Sequence, residues 1–447
     1  MQSSELSVSQ NKAGQPRYNF LPRLKNLPNN VIRPLVWLVR LLLGAVFVFS
    51  GFSKAVDPWG GLYKIADYLH AWGFQPSHEI SLILGCVLAL FEFVTGVMLL
   101  IGAYRRVIRW VLLVFMAFMT VLTLYIWIAD PVSDCGCFGD ALILSNAMTF
   151  WKNVFLLLLT WIIFLYNMRV NPLILPQLQW IAIIVTCLYV FAIEIYGYHI
   201  QPLIDFRPYP VGTNLAELAS ENDDVNMLFV YEKNGIKQTF TIDNLPDESW
   251  TFVERQTPEN ESNKSVISIF DDEEDVTADV VAQEGEQYIL LVSDPERYGI
   301  SRSEMANHLY DYSTAHDADM FAVIALDTDS IENWIEQTGA NYPVYSAEDT
   351  DIKMIARGDA ALVALKDGII TGKINIFALP PEFPSENEDI AAQVESNGYN
   401  MLIRFTLVWF ACMLVLYFAS RVSGMIKHIK MSVNKDGEKA NINELTK

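Results

Sequence analysis

The sequence predicts an α-helical membrane bundle joined to an α/β soluble domain. Three observations predict it. Six apolar stretches have the roughly 20 residues needed to cross a hydrocarbon core about 30 Å thick. The charge is divided between two regions: residues Asp205–Asn400 hold 40 acidic and 11 basic side chains, a net of −29, and the remainder carries +8. The same acidic region alternates strand patterns with helical ones. The whole-chain averages, 52% hydrophobic and a net charge of −21, describe neither part. The acidic excess argues against nucleic-acid binding, because phosphates would be repelled.

The expected spans are Val31–Phe52, Ile80–Ala103, Trp110–Ile128, Ala147–Tyr166, Leu178–Tyr198 and Met401–Ala419. The fourth is interrupted by Lys152 and Asn153, and Lys152 is expected to snorkel to the interface. About 30 polar residues precede the first span and no Ala-x-Ala site follows it, so it reads as a retained span rather than a signal peptide. Basic residues cluster before the first span (Arg17, Arg23, Lys25, Arg33), between the second and third (Arg105, Arg106, Arg109), after the fourth (Arg169) and after the sixth (Arg421, Lys427, Lys430, Lys435, Lys439). Positive charge stays inside, so both termini are expected in the cytoplasm. The Asp130–Asp140 loop and the acidic domain then lie outside, in the periplasm of a bacterial inner membrane. Between the first two spans, Asp57–Phe74 places Leu62, Ile65, Leu69 and Trp72 at helical spacing, the pattern of an amphipathic helix lying in the interface among lipid headgroups.

Five cysteines are present. Cys86, Cys187 and Cys412 fall inside spans and read as small apolar packers. Cys135 and Cys137 fall in the outer loop, where disulfides are permitted. A bond between positions i and i+2 closes a small strained ring, and Gly136 eases the backbone demand. Strain raises the reduction potential and favours exchange over stapling. Against this, Asp134 and Asp140 flank the pair and disfavour thiolate formation. A redox dithiol, a structural disulfide, a metal site and free thiols therefore stay open. No histidine cluster completes a metal site. Arg40 and Glu92 lie at span depth with opposite sign and are expected to pair there. They read either as a bundle-fixing ion pair or as a polar site for a quinone headgroup or a proton path.

The run RLLLGAVFVFSGFSKAVDP, the interfacial helix, LALFEFVTGVMLLIG and the later DCGCFGD resemble the DoxX/MauE class of four-helix membrane proteins, over residues 31–166. The resemblance implies redox support work at a membrane. For MauE-like members it implies maturation of a periplasmic amine dehydrogenase, and for some DoxX relatives a link to quinone.

The acidic region, bounded at 205–380, reads as two strands around a Lys-Asn-Gly turn (MLFVYEKNGIKQTFTI) and then a solvated charge run, Asp271–Asp279. After them come a buried strand (QYILLVSD), a helix with Met305, Leu309 and Tyr312 on one face, and a second buried strand (FAVIALDTD). A helix capped by Ser330 and a hairpin around Lys366-Asp367-Gly368 complete it. The order β-α-β-α-β-β resembles a thioredoxin-like domain of the TlpA or peroxiredoxin sort. The Cys-x-x-Cys of that family should follow the first buried strand, but Ser293-Asp294-Pro295-Glu296-Arg297 stands there. Its cis-proline position holds Gly358-Asp359-Ala360-Ala361. The domain therefore lacks dithiol chemistry of its own and is expected to dock a client. Pro380, Pro381 and Pro384 read as a stiff linker to the sixth span, 401–420, and residues 421–447 as a basic tail on the inner leaflet. The tail 1–30 and the fifth span, 178–199, complete the division.

Two function classes follow. One is a membrane thiol-redox or maturation factor using Cys135 and Cys137, with electrons passed to a quinone or a partner protein. The other is a non-catalytic scaffold that docks clients. No broken helix pair or inverted repeat supports a transporter.

Overall fold

The computed structural model describes residues 28–132, 134–223, 228–233, 236–241, 250–256, 267–272, 274–380, 383, 390, 394 and 398–445. The tail before residue 28, Ser133, Pro381 and Pro384 lie outside the described residues.

The helical region contains α1 (Asn29–Val56), α2 (Pro58–Ala71), α3 (His78–Ile101), α4 (Arg105–Ala129), α5 (Asn146–Tyr166) and α6 (Gln179–His199), and α13 (Gly398–Leu445) returns to it. Six helices are long and apolar enough to cross a membrane, beginning at Asn30, His78, Arg105, Asn146, Pro176 and Gly398. Their outward faces are apolar, as Val114, Val121, Ile128, Leu188 and Val415 show. A lipid environment requires such faces, where a soluble bundle would place polar groups.

Small residues set the closest helix pair. A Cβ on Gly51 of α1 would lie 2.3 Å from the Phe93 backbone nitrogen of α3, and one on Gly96 would lie 2.7 Å from the Val48 nitrogen. The backbones therefore touch, which is how helices gain packing energy in lipid. One apolar core runs through the bundle and includes Val36, Leu43, Phe93, Leu112, Leu156 and Val190, with Leu402 and Leu416 of α13. Tyr189 of α6 stacks on Trp409 of α13 at 5.2 Å and bonds Thr406 at 3.0 Å, so these two helices are neighbours.

The α1–α2 corner forms because Asp57 ends one helix and caps the next. Its carboxylate accepts the Gly60 N–H at 2.9 Å, and Pro58 takes the first helical position. The amphipathic helix expected over Asp57–Phe74 is α2. Its buried ridge is Trp59 and Leu62, while Trp72 is exposed.

The soluble region is a separate mixed-sheet domain. It contains α7 (Leu215–Asp223), β1 (Leu228–Lys233), β2 (Ile236–Thr241), β3 (Thr251–Gln256), β4 (Phe270–Asp271), β5 (Glu274–Asp275), α8 (Thr277–Val280), β6 (Glu286–Val292), α9 (Pro295–Tyr298), α10 (Ile300–Ala315), β7 (Asp319–Ile324), α11 (Thr328–Thr338), β8 (Val344–Ser346), α12 (Asp349–Ile355), β9 (Ala360–Lys366) and β10 (Ile369–Asn375). The main sheet has the order β10-β9-β6-β7-β8-β4-β5, and β2-β1-β3 form a small antiparallel sheet of their own. Strand β6 runs parallel to β7 and antiparallel to β9.

Alternation along the central strands feeds two cores. Tyr288, Leu290 and Val292 face one, with Met305, Leu309 and Trp334, while Ile289 and Leu291 face the other, with Leu215, Ile352 and Ile355. A strand buried on both faces must read as a continuous apolar run, which is why YILLV and ALVAL do. The β9–β10 turn places Asp367 and Gly368 at φ 51° and 73°, a left-handed pair that fits a tight hairpin.

Several expectations need correction. The order β-α-β-α-β-β omits β8 and α12, because a three-residue strand carries no periodicity. Ser330 lies within the first turn of α11; the cap position is Asp327, and no side-chain cap bond forms there. The acidic run Asp271–Asp279 is not simply loop, since it closes the β4–β5 hairpin at the sheet edge and enters α8. Phe383, Ile390 and Val394 are buried in the sheet core, while the rest of the expected linker, with Pro381 and Pro384, lies outside the described residues.

The α1–α3 contact gives a direct test. Gly51→Val should lower bundle stability by about 1–3 kcal/mol or more, since overpacking against backbone cannot relax. Gly61→Ala, where the added Cβ meets only the Gly85 Cα at 3.8 Å, should be tolerated. Thermal unfolding of both variants in detergent separates the two outcomes.

Candidate functional site

The site lies where the α4–α5 loop meets the ends of α1, α2 and the soluble domain. Gly136 and Gly139 adopt φ of 61° and 55°, so the loop Asp134–Asp140 folds back on itself tightly. This brings Cys135 Sγ to 2.7 Å from Cys137 Sγ. Cys135 is buried and Cys137 partly so.

A buried polar network grips the loop from beneath. Lys54 Nζ of α1 lies 2.7 Å from Glu92 Oε2 of α3. Ser50, one turn before Lys54, donates to Glu92 at 2.8 Å, and Lys54 donates to the Ser50 hydroxyl at 2.8 Å. The Cys137 carbonyl accepts from Lys54 at 2.5 Å and lies 2.6 Å from the Ser50 hydroxyl. All three side chains are at most 9% exposed. A buried ion pair is tolerated only when further hydrogen bonds satisfy its remaining donors and acceptors. Here Ser50 and the Cys137 carbonyl supply them.

A second grip comes from α2. Lys64 pairs with Asp134 at 2.5 Å, and the Tyr68 hydroxyl donates to the Cys135 carbonyl at 2.9 Å. Lys64 also lies against Gly136, where a Cβ would meet its Cγ at 3.1 Å. A third grip comes from the soluble domain. Arg357, on the approach to β9, reaches Asp57 at 2.9 Å and also pairs with Asp140. Both aspartates flanking the cysteines therefore face a cation, Lys64 for Asp134 and, shared with Asp57, Arg357 for Asp140. Their repulsion of a thiolate is reduced, since each carboxylate lies against a cation, although Asp140 shares its own with Asp57.

The two thiols are unequal. The Cys135 thiol hydrogen-bonded to Cys137 lowers the latter to about 7, and Lys152 and Lys54 act in the same direction against burial and Glu92. Cys135 is pushed up by the same bond and by burial. The bond therefore favours the proton on Cys135 and negative charge on Cys137. Lys152 does not simply snorkel outward. Its Nζ lies 4.1 Å above the Phe138 ring. Asn153 is buried and donates to Thr123 at 3.2 Å. The polar interruption of the fourth span therefore faces the bundle. Ser50, Glu92, Cys137, Lys152 and Asn153, with Phe47, Met116 and Leu156, line a cavity of about 30 Å³, enough for a water molecule.

Arg40 and Glu92 do not pair. Arg40 is fully buried and holds the Asn167 carboxamide oxygen at 2.6 and 3.0 Å, with its guanidinium against Gly102. Glu92 belongs to Lys54. Depth counted from helix ends misleads because the ends are not level: Lys54 lies near the end of α1, yet it meets the middle of α3. Lys54, Ser50, Lys64, Tyr68 and Arg357 escaped the sequence reading. Ser50 and Lys54 carried a usable signal, since the i, i+4 spacing within FSGFSK puts both on one helix face. Arg357 carried none, because its partners are 217 and 300 residues away. Among the described residues no group of His, Cys, Asp and Glu could hold a metal ion.

Residues 32–166, which include the cysteine loop and most of its supports, match the family model of Methylamine utilisation protein MauE. Residues 32–166 are MauE-like. With its six apolar helices, the chain is a multi-pass membrane protein. A domain of unknown function, DUF8463, matches residues 225–259, which carry the β1–β3 sheet. No curated protein and no solved structure matches the chain.

Breaking the buried network should be costly. Glu92→Leu alone leaves Lys54 charged and unpaired, and should destabilise the bundle by about 3–5 kcal/mol. Adding Lys54→Met should recover much of that loss. Thermal unfolding of the two variants in detergent reads the difference, and equal instability of the single and double variants would contradict the pairing.

Proposed function

We propose that this protein is a membrane-embedded thiol-redox factor that supports protein maturation, with Cys135 and Cys137 as the exchanging pair. The carrying observation is the juxtaposition of the Cys135 and Cys137 sulfurs at 2.7 Å, with Lys54 and Lys152 beside Cys137. The MauE-like region supports a role in the accessory class that its family name describes, methylamine utilisation. The positive clusters support an orientation in a bacterial inner membrane with the cysteine loop and soluble domain outside and both termini in the cytoplasm.

In the oxidised state, a client thiolate attacks the Cys135–Cys137 disulfide and forms a mixed disulfide. The second client thiol displaces it, so the client gains a disulfide and the pair gains two electrons and two protons. Reoxidation returns both to a two-electron acceptor, either a quinone reduced to quinol or a partner disulfide reduced to a dithiol. Cys137, with its lower pKa, is the better leaving group when the client attacks Cys135. The cavity beside Cys137 offers a wet route for its proton toward Glu92, while a quinone ring needs more room than about 30 Å³. Arg40 lies with Asn167, away from the thiols, and has no part in this scheme.

The sheet domain supports thioredoxin-like docking without chemistry. Its strand β6 leads into Ser293 and α9 where that family carries its cysteines, and the domain has none. Ser293 donates to the Gly358 carbonyl at 2.7 Å, and Arg297 pairs with Asp359 at 2.9 Å, so this edge is bonded to itself. That observation favours the second reading, a scaffold that presents clients to partners.

Two outcomes separate these readings. In intact cells, alkylation trapping should find the Cys135–Cys137 pair partly reduced and shifting with oxidant or reductant. A pair that stays fully oxidised under every redox challenge would sink the redox reading. A Cys135→Ser, Cys137→Ser variant with unchanged stability and phenotype would favour the scaffold. In purified protein, Cys137 should alkylate with a half-point near pH 7, faster above it where the thiolate forms and slower below it. Cys135→Ala should move that half-point upward, because it removes the side-chain donor that most favours the charged form of Cys137. Site-resolved mass spectrometry reads both.

A further inference from the structure

Arg357 sits on the soluble domain yet is buried at the cysteine loop. Its Nη2 atom meets a carboxylate oxygen from each of two chain segments, Asp57 and Asp140, and its Nε also donates to Asp57 at 3.0 Å. Gln201 fixes its backbone from both sides, accepting from the Arg357 N–H at 3.1 Å and donating to its carbonyl at 2.6 Å. Its guanidinium also lies over Tyr63 of α2 at 5.4 Å. Asp140 follows Cys137 by three residues, and Asp57 follows Lys54 by three. One guanidinium thus ties together the far side of the cysteine loop and the helix end that carries the lysine beneath it. No sequence pattern links these three segments, and the thiol scheme above does not need Arg357.

We propose that Arg357 is the positioning residue of the thiol site: by holding Asp140 and Asp57 together it seats the Cys137 carbonyl on Lys54, so that the docking of the soluble domain sets the reactivity of Cys137. The proposal deepens the thiol-redox reading and rests on it for its biological meaning. Its physical basis is geometric. A planar guanidinium can satisfy two carboxylates at fixed angles, whereas an ammonium holds them as a point charge. When the soluble domain lifts, Asp140 and Asp57 lose their shared cation and the Phe138–Asp140 segment is released. The loop then shifts away from Lys54. The charged and titratable groups around Cys137 are Lys54 from α1, Glu92 from α3, Lys152 from α5, Lys64 and Tyr68 from α2, and Asp134, Cys135 and Asp140 from the loop itself. Arg357 is the contribution of the soluble domain to this set.

The test uses the full chain, reduced in detergent, with Cys86, Cys187 and Cys412 replaced by alanine. The rate of iodoacetamide modification at Cys137 is measured by mass spectrometry from pH 5 to 10. Arg357→Met should move the half-point up by about one pH unit, a roughly tenfold loss of thiolate near neutral pH. Arg357→Lys should restore part of it. Asp140→Asn decides between positioning and simple electrostatics. Removing a negative charge near the thiol would by itself lower the half-point, whereas loosening the loop raises it. Positioning predicts an upward shift in Asp140→Asn as well. An unchanged or lowered half-point in Asp140→Asn overturns the proposal, even where Arg357→Met fails to fold. Because the protein is reduced throughout, the result does not depend on whether the pair cycles in cells. Failure of the redox reading and failure of the Arg357 proposal therefore appear in different experiments.

Discussion

The buried Lys54–Glu92 ion pair is the constraint around which the helical region is arranged. Placing two charges inside an apolar bundle carries a desolvation penalty of several kcal/mol per ion, so each remaining donor and acceptor must be satisfied. Ser50 and the Cys137 carbonyl complete the set. This requirement fixes three things at once. It holds α1 against α3, and it needs the close glycine contacts at Gly51 and Gly96 that bring those backbones together. It also draws a surface loop inward until a cysteine carbonyl reaches into the bundle. The cysteine pair lies beside a lysine because the ion pair needed an acceptor.

The soluble domain meets this network from the other side. Its contribution is cationic, although residues 205–400 carry −29. Arg357 is one of only 11 basic residues there, and it is buried between two carboxylates of the helical region. Net charge governs solubility and long-range fields, while docking depends on which single charge is desolvated at the contact. Among the described residues, acidic side chains such as Asp271, Asp272 and Glu274 are exposed.

Much of the architecture was legible in the sequence. Apolar length and the charge division point to a helical membrane region with a separate sheet domain, because burial in lipid and solvation in water leave opposite compositions. The buried strands β6 and β7 and the β9–β10 hairpin follow from continuous apolar runs and a Lys-Asp-Gly turn. The three-residue β8 was not legible, since a strand that short has no period. The site was legible only in its covalent part. Cys135, Gly136 and Cys137 are adjacent in the chain, so their geometry is local. Glu92 is visible as an intramembrane acid, but depth alone points to Arg40 as its partner. The correct partner depends on how the helix ends are staggered, and stagger is a tertiary property. Lys64, Tyr68 and Arg357 reach the loop across long sequence separations with no periodic signature.

The soluble domain is spliced between α6 and α13, two helices that pack on each other through Tyr189, Thr406 and Trp409. Gly398, where α13 begins, lies against Leu203 just beyond α6, within 3.2 Å of its carbonyl for an added Cβ. Entry and exit of the domain are therefore side by side. A body held at two adjacent points can tilt about them as a lid does about a hinge, but it cannot drift away. Its contact with the loop is then an intramolecular event at high effective concentration, and even a weak grip would re-form each time it opened.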